Sequence, residues 1–204
     1  MTMRIRAVLF DFDDTLTAPG KLDYALIRRE IGCPPTESML DYLDRIKEPA
    51  KRERMARILD GYEMAAAAKA APAEGAEDLV KWLDRAGIRK GIFTRNSRNA
   101  VQRAFANFAG IGTEDFDLIL TRDDDLPVKP HPGGILHAAS FFGVSVRDML
   151  VVGDFIYDIE AGKAAGAVTV WLKSRKIGDF TPPESDFTVE RLEQVREICE
   201  DGMV

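Results

Sequence analysis

Cysteine is nearly absent from this chain. Its 204 residues hold two, Cys33 and Cys199, far apart and in no ligand-like cluster. That excludes a cysteine-based metal motif, and both are expected to be reduced thiols of a cytoplasmic protein. Long hydrophobic runs are missing too. No apolar stretch approaches the roughly 20 residues that span a bilayer, so no membrane segment is expected. The run after Arg4 and Arg6 ends in acid at Asp11, which argues against a signal peptide. Positive charge is in deficit, with 28 Lys and Arg against 34 Asp and Glu and a net charge of −6. General affinity for nucleic acid is therefore not expected. No segment repeats at a fixed period. The length fits one domain plus an insertion, or two small domains.

Short apolar runs at Ile5 to Phe10, Ile88 to Phe93, Leu118 to Leu120, Met149 to Val152 and Val168 to Trp171 predict strands. Between the later ones, apolar residues fall at helical spacing: Ala76, Leu79, Val80 and Leu83, then Val101, Ala104, Phe105 and Phe108. Further helices are expected at about 133–142, 158–165 and 190–199. Strands alternating with helices predict an α/β fold, a Rossmann-like parallel sheet with helices on both faces. The gap after the first strand is different. It holds three helical patterns, punctuated by Pro34-Pro35 and Pro49, and no strand. The expected division is a core of 1–16 and 75–204 and a small all-helical cap of 17–74. The cap's hinges are expected at Thr17 to Gly20 and Ala71 to Gly75. Between residues 21 and 70 there are ten Lys or Arg against nine Asp or Glu, so the cap is less negative than the core.

Four signals sit where predicted strands end. The first strand runs into Asp11 and Asp13, the second into Thr94, and the fourth into Gly153-Asp154 and then Asp158. Lys129 follows the third in a loop. In an open parallel sheet the ligand crevice lies beyond the carboxyl ends of the strands, so these residues are expected to converge. Asp11, Asp13, Asp154 and Asp158 would repel one another unless a cation neutralised them. An oxygen-only donor set favours Mg²⁺. Thr94 and Lys129 suit phosphoryl oxygens, and Arg95 and Asn96 are further candidates for the phosphate site. The helix near Ser97 is expected to aim N–H groups at the same anion, with Ser97 as its cap. His131, His137 and the run Asp123-Asp124-Asp125 read as loop, helix and solvated loop.

The chain resembles the haloacid dehalogenase superfamily, in its phosphoglycolate phosphatase-like branch. The residues that carry the resemblance are Asp11-Phe12-Asp13-Asp14-Thr15-Leu16-Thr17, Thr94 after Gly91-Ile92-Phe93, Lys129-Pro130-His131-Pro132, and Gly153-Asp154-Phe155-Ile156-Tyr157-Asp158. Three features depart from the branch. The cap is short, Arg95 stands between Thr94 and Asn96, and Phe155 stands where a small hydroxyl residue is common. The resemblance implies a phosphatase of a small phosphorylated metabolite. In it Asp11 attacks phosphorus to give an aspartyl-phosphate and Asp13 is the acid and base. Mg²⁺ is held by Asp11, the Asp13 carbonyl and Asp154, with Asp158 either a further ligand or placed just behind them. Alternatives at this stage are a sugar phosphomutase, a phosphonatase using a cap lysine (Lys21, Lys47 or Lys51), and a non-catalytic phospho-accepting or binding protein. Asp13 argues against a dehalogenase. Oligomeric state is not legible.

Overall fold

The computed structural model describes residues 4–20, 22–173 and 184–201. Lys21 lies outside them. Six parallel strands form one sheet in the order β3-β2-β1-β4-β5-β6. They are β1 (Ala7–Phe10), β2 (Arg89–Phe93), β3 (Leu118–Leu120), β4 (Met149–Gly153), β5 (Val168–Leu172) and β6 (Phe187–Val189). The order reverses at β1, between β2 and β4, which makes the tips of these strands the natural crevice.

β1 is buried along its whole length, as a central parallel strand covered on both faces must be. Its side chains alternate. Val8 and Phe10 join one apolar cluster with Leu79, Leu83 and Val101, and Ala7 and Leu9 join the other with Ile135, Met149 and Val151. The first face is covered by α4 (Ala76–Arg85) and α5 (Arg98–Phe105), and the second by α6 (Gly133–Phe142) and α7 (Ile156–Ala165). Each fully buried aliphatic side chain contributes about 1.5–3 kcal/mol. The closing helix α8 (Glu193–Asp201) packs on α4.

Strand β6 is absent from the sequence expectation. It has three residues, of which only Val189 is buried, so it offers no periodic signal. It is tied to the sheet through Asp186, whose Oδ2 accepts from the Thr169 backbone N–H at 2.8 Å and hydroxyl at 2.6 Å.

After β1 the chain builds α1 (Tyr24–Ile31), α2 (Met39–Arg45) and α3 (Pro49–Ala67). Asp23 caps α1 and Ser38 caps α2, each accepting a backbone N–H. Pro49 opens α3, where its missing N–H costs nothing. Ile27, Ile31, Leu43, Met55 and Leu59 form an apolar cluster of these helices' own. The outgoing and returning passes of chain pair at Thr17 and Pro72. Ala18 N–H donates to the Ala71 carbonyl at 2.8 Å and Ala73 N–H to the Leu16 carbonyl at 2.9 Å.

Candidate active site

Asp11 extends the β1 ladder by one bond, its N–H donating to the Val152 carbonyl at 2.8 Å. The chain then turns sharply. Leu16 and Thr17 N–H groups both donate back to the Phe12 carbonyl, at 2.9 and 3.0 Å. Asp14 takes a left-handed backbone with φ of 54°, which short polar side chains tolerate better than most. It closes the loop by accepting the Gly20 N–H on Oδ1 at 2.6 Å. Phe12 is buried against Phe105, with ring centroids 5.2 Å apart. Anchored this way, Asp11 and Asp13 both stay at the sheet edge.

Three carboxylates meet there. Oxygens of Asp11, Asp154 and Asp158 lie within 4.8 Å of one another. Lys129 is buried between two of them, its Nζ 2.6 Å from Asp11 Oδ1 and 2.5 Å from Asp158 Oδ1. The same ammonium lies 5.5 Å from the centre of the Phe93 ring. Asp158 is fixed a second time, accepting the Phe155 N–H on Oδ2 at 3.0 Å. The Thr15 hydroxyl donates to Asp154 Oδ1 at 3.5 Å.

The Asp13 carboxylate stands outside this trio. Its Oδ2 accepts from Asn96 Nδ2 at 2.9 Å. Asn96 is in turn placed by its own N–H, which donates to the Thr94 hydroxyl at 3.1 Å. Burial, and then the charge of Asp11, push the Asp13 carboxyl up to about 7, against the lowering effect of the Asn96 bond. Burial raises Asp158 to about 6, with Lys129 opposing and Asp11 adding. Burial works against the Lys129 ammonium, but the charges of Asp11 and Asp158 outweigh it and hold Lys129 above its ordinary value. The set is hard, oxygen-only and clustered, and it fits a small divalent cation.

Two expectations need correcting. At the start of α5 the Arg98 N–H donates to Asp123 Oδ2 at 2.8 Å and the Ala100 N–H to the Ser97 hydroxyl, so these two are already taken. The aspartate run around Asp124 is not merely solvated. Asp124 accepts from Thr121 N–H at 2.7 Å, from its hydroxyl at 2.8 Å, and from Arg98. The reason is local: these carboxylates close a turn that the sequence shows only as a charge run. Arg95 donates to the Ser38 hydroxyl on the cap side, and its guanidinium lies 4.9 Å above the Tyr157 ring. Ser97 caps α5, and His131 Nδ1 accepts the Gly133 N–H within its turn. His137 is exposed on α6, and Lys47 and Lys51 are exposed on the cap.

Three other neighbours carry no mark in the sequence. Tyr24 on α1 reaches the acidic crevice. Although 44% of its surface is open, desolvation around its hydroxyl and the charges of Asp13, Asp14, Asp154 and Asp11 push it well above its ordinary value. Glu63 on α3 is buried and paired to Arg122, with Nη1 to Oε1 at 2.7 Å. No periodicity marks a pair 59 positions apart.

A parallel sheet whose switch point holds clustered aspartates, a buried lysine and a separately held acid defines an acid-rich hydrolase site. The family profile of the haloacid dehalogenase-like hydrolases matches residues 5–166, and the chain belongs to that family. It is 32% identical over 198 residues to an uncharacterized hydrolase, YOR131C, of Saccharomyces cerevisiae, covering 96% of this chain and 90% of that one. It is 29% identical over 185 residues to a phosphoglycolate phosphatase of Thiobacillus denitrificans, covering 79% and 80%. The crystal structure of a predicted phosphoglycolate phosphatase from Haemophilus somnus superposes with a TM-score of 0.74 at 17% identity, covering 95% and 97%, which speaks for the fold alone. Among the described residues no helix is long and apolar enough to cross a membrane.

Proposed function

We propose that the chain is a Mg²⁺-dependent phosphomonoesterase acting on a small phosphorylated metabolite, with Asp11 as nucleophile. The observation that carries this reading is the separation of two aspartates two residues apart. Asp11 lies in the acidic trio against Lys129. Asp13 turns away to Asn96, where burial lifts its carboxyl to about 7, so that a large share keeps its proton near neutral pH. A nucleophile must be ionised and a general acid must carry a proton, and different surroundings allow neighbouring carboxyls to divide these roles.

The steps follow from these positions. An oxygen of Asp11 attacks phosphorus in line as the bond to the leaving oxygen breaks, giving an aspartyl-phosphate. Asp13 gives its proton to the leaving alkoxide. Ionised by that transfer, it takes a proton from the water that next attacks phosphorus, and Asp11 and inorganic phosphate are released. Thr94, Lys129, Asn96 and Arg95 are the groups proposed to meet phosphoryl oxygens, with Lys129 the best placed. Asp11, Asp154 and Asp158, with the Asp13 carbonyl, would hold Mg²⁺, which when bound neutralises charge on the phosphoryl oxygens. The relative from Thiobacillus denitrificans is named as a phosphatase of a small metabolite, which supports the substrate class.

The test is release of inorganic phosphate from a panel of small phosphomonoesters and p-nitrophenyl phosphate, with Mg²⁺ and with a chelator. Release that requires the metal supports the reading. Well-folded protein that releases none from any member contradicts it.

A further inference from the structure

Arg122, which follows β3, ties cap helix α3 to the loop that carries Thr94. Its Nη1 donates to Glu63 Oε1 at 2.7 Å, and its Nη2 pairs with Asp60, both on cap helix α3. Its Nη1 also donates to the Arg95 carbonyl at 3.0 Å, and its backbone N–H donates to the Asn96 carbonyl at 3.1 Å. Arg95 and Asn96 belong to the loop that carries Thr94, and Asn96 holds Asp13.

We infer that Arg122 is a positioning residue that couples the seating of the cap on the core to the orientation of Asp13. The inference rests on the phosphatase reading for its kinetic consequence, but not for the coupling itself.

The geometry supports a stiff connection. Only 13% of the Arg122 side chain and 7% of the Glu63 side chain are exposed, so the pair is little screened by solvent. A planar guanidinium bound on several edges cannot swing toward one partner without loosening another. Glu63 has no easy alternative partner. Its Oε2 is buried without a hydrogen bond among the described residues, and against the burial that raises the carboxyl the Arg122 bond and charge come first, ahead of the Ser97 backbone N–H. Lifting α3 would break the ion pairs of Glu63 and Asp60 with Arg122, so cap and guanidinium are expected to move together. The path is then short and contiguous: Glu63 and Asp60, Arg122, the Arg95 and Asn96 carbonyls, the Asn96 amide, and Asp13. A sub-ångström shift in an acid that must reach a leaving oxygen is costly to rate.

The test loosens the bridge from its cap end and at Arg122 itself, and reads the loop that carries Thr94. Amide hydrogen exchange is measured on wild type, Asp60→Asn, the double variant Asp60→Asn/Glu63→Gln, Arg122→Lys and Arg122→Ala. The inference expects faster exchange at 94–97 as well as in α3 in the double variant and in Arg122→Ala, with α8 unchanged and Arg122→Lys intermediate. Faster exchange in α3 with 94–97 at the wild-type rate would overturn it. Faster exchange everywhere, α8 included, would also overturn it, because that marks a general loss of stability. A kinetic arm applies if wild type hydrolyses any panel ester. In the double variant kcat is expected to fall roughly tenfold with little change in KM. An unchanged kcat overturns the kinetic consequence. If wild type hydrolyses nothing, the phosphatase reading fails, and the exchange data still decide the coupling.

Discussion

Lys129 Nζ sits 2.6 Å from Asp11 Oδ1 and is equally close to Asp158 on its other side. One buried positive charge therefore holds two carboxylates that would otherwise repel. Replacing it with alanine leaves both facing each other. For Lys129→Ala without metal, a stability loss of about 3–5 kcal/mol is expected, the usual cost of breaking a buried pair. Denaturant unfolding checks this. Added Mg²⁺ should recover part of the loss.

The acidic trio predicts a metal effect that needs no substrate. A ligand that binds only the folded state stabilises it by about 2.7 kcal/mol at a hundredfold excess over Kd. Thermal or denaturant unfolding of wild type should therefore shift upward with Mg²⁺. Asp154→Asn removes one of the three clustered carboxylates, and its shift should be much smaller.

Asp13 and Asp158 make the metal-free protein sensitive to pH. Both carboxyls are held above the ordinary value of 3.8, at about 7 and about 6. The folded state thus keeps protons that the unfolded state has lost. Their contribution is fully present below about pH 4 and is lost as pH rises to about 7. Asp84, Asp124 and Asp186 are held low and act in the opposite sense, but below about pH 4. Stability of metal-free wild type against pH should fall between about 4 and 7, and Asp13→Asn should flatten part of that fall.

Gly153 shows why the fourth motif begins with glycine. A Cβ there would lie 2.3 Å from Asp158 Cγ and Oδ2. Gly153→Ala must displace the Asp158 side chain that pairs with Lys129. Overpacking of this kind costs roughly 1–3 kcal/mol, and misplacing a group at the site costs up to about 10²-fold in rate. Unfolding midpoints and steady-state kinetics on the best panel ester measure the two effects.

Much of this site was legible in the sequence because strand ends carry it. Asp11, Thr94 and Asp154 each follow an apolar run, and a parallel sheet brings such ends together. The three helices after β1 were legible from their periodicity and prolines. Strand β6 was not, since a single buried residue makes no pattern. Local turn chemistry hid the roles of Asp123 and Asp124, which both accept N–H groups, Asp123 while exposed and Asp124 while half-buried. The Glu63–Arg122 pair was out of reach for another reason. Neither residue sits in a motif, and only the folded chain brings them together. Arg95 adjoins Thr94 in sequence, but its guanidinium reaches across to Ser38.

During turnover phosphorus should become bonded to Asp11. The most direct measurement is acid quenching during turnover of the best panel ester, followed by peptide mass spectrometry. One added phosphoryl group is expected on the peptide containing Asp11, chemically labile as an acyl phosphate, and none in a folded Asp11→Asn variant that has lost turnover. Turnover by Asp11→Asn at the wild-type rate, or a phosphoryl group trapped on another residue, would contradict it.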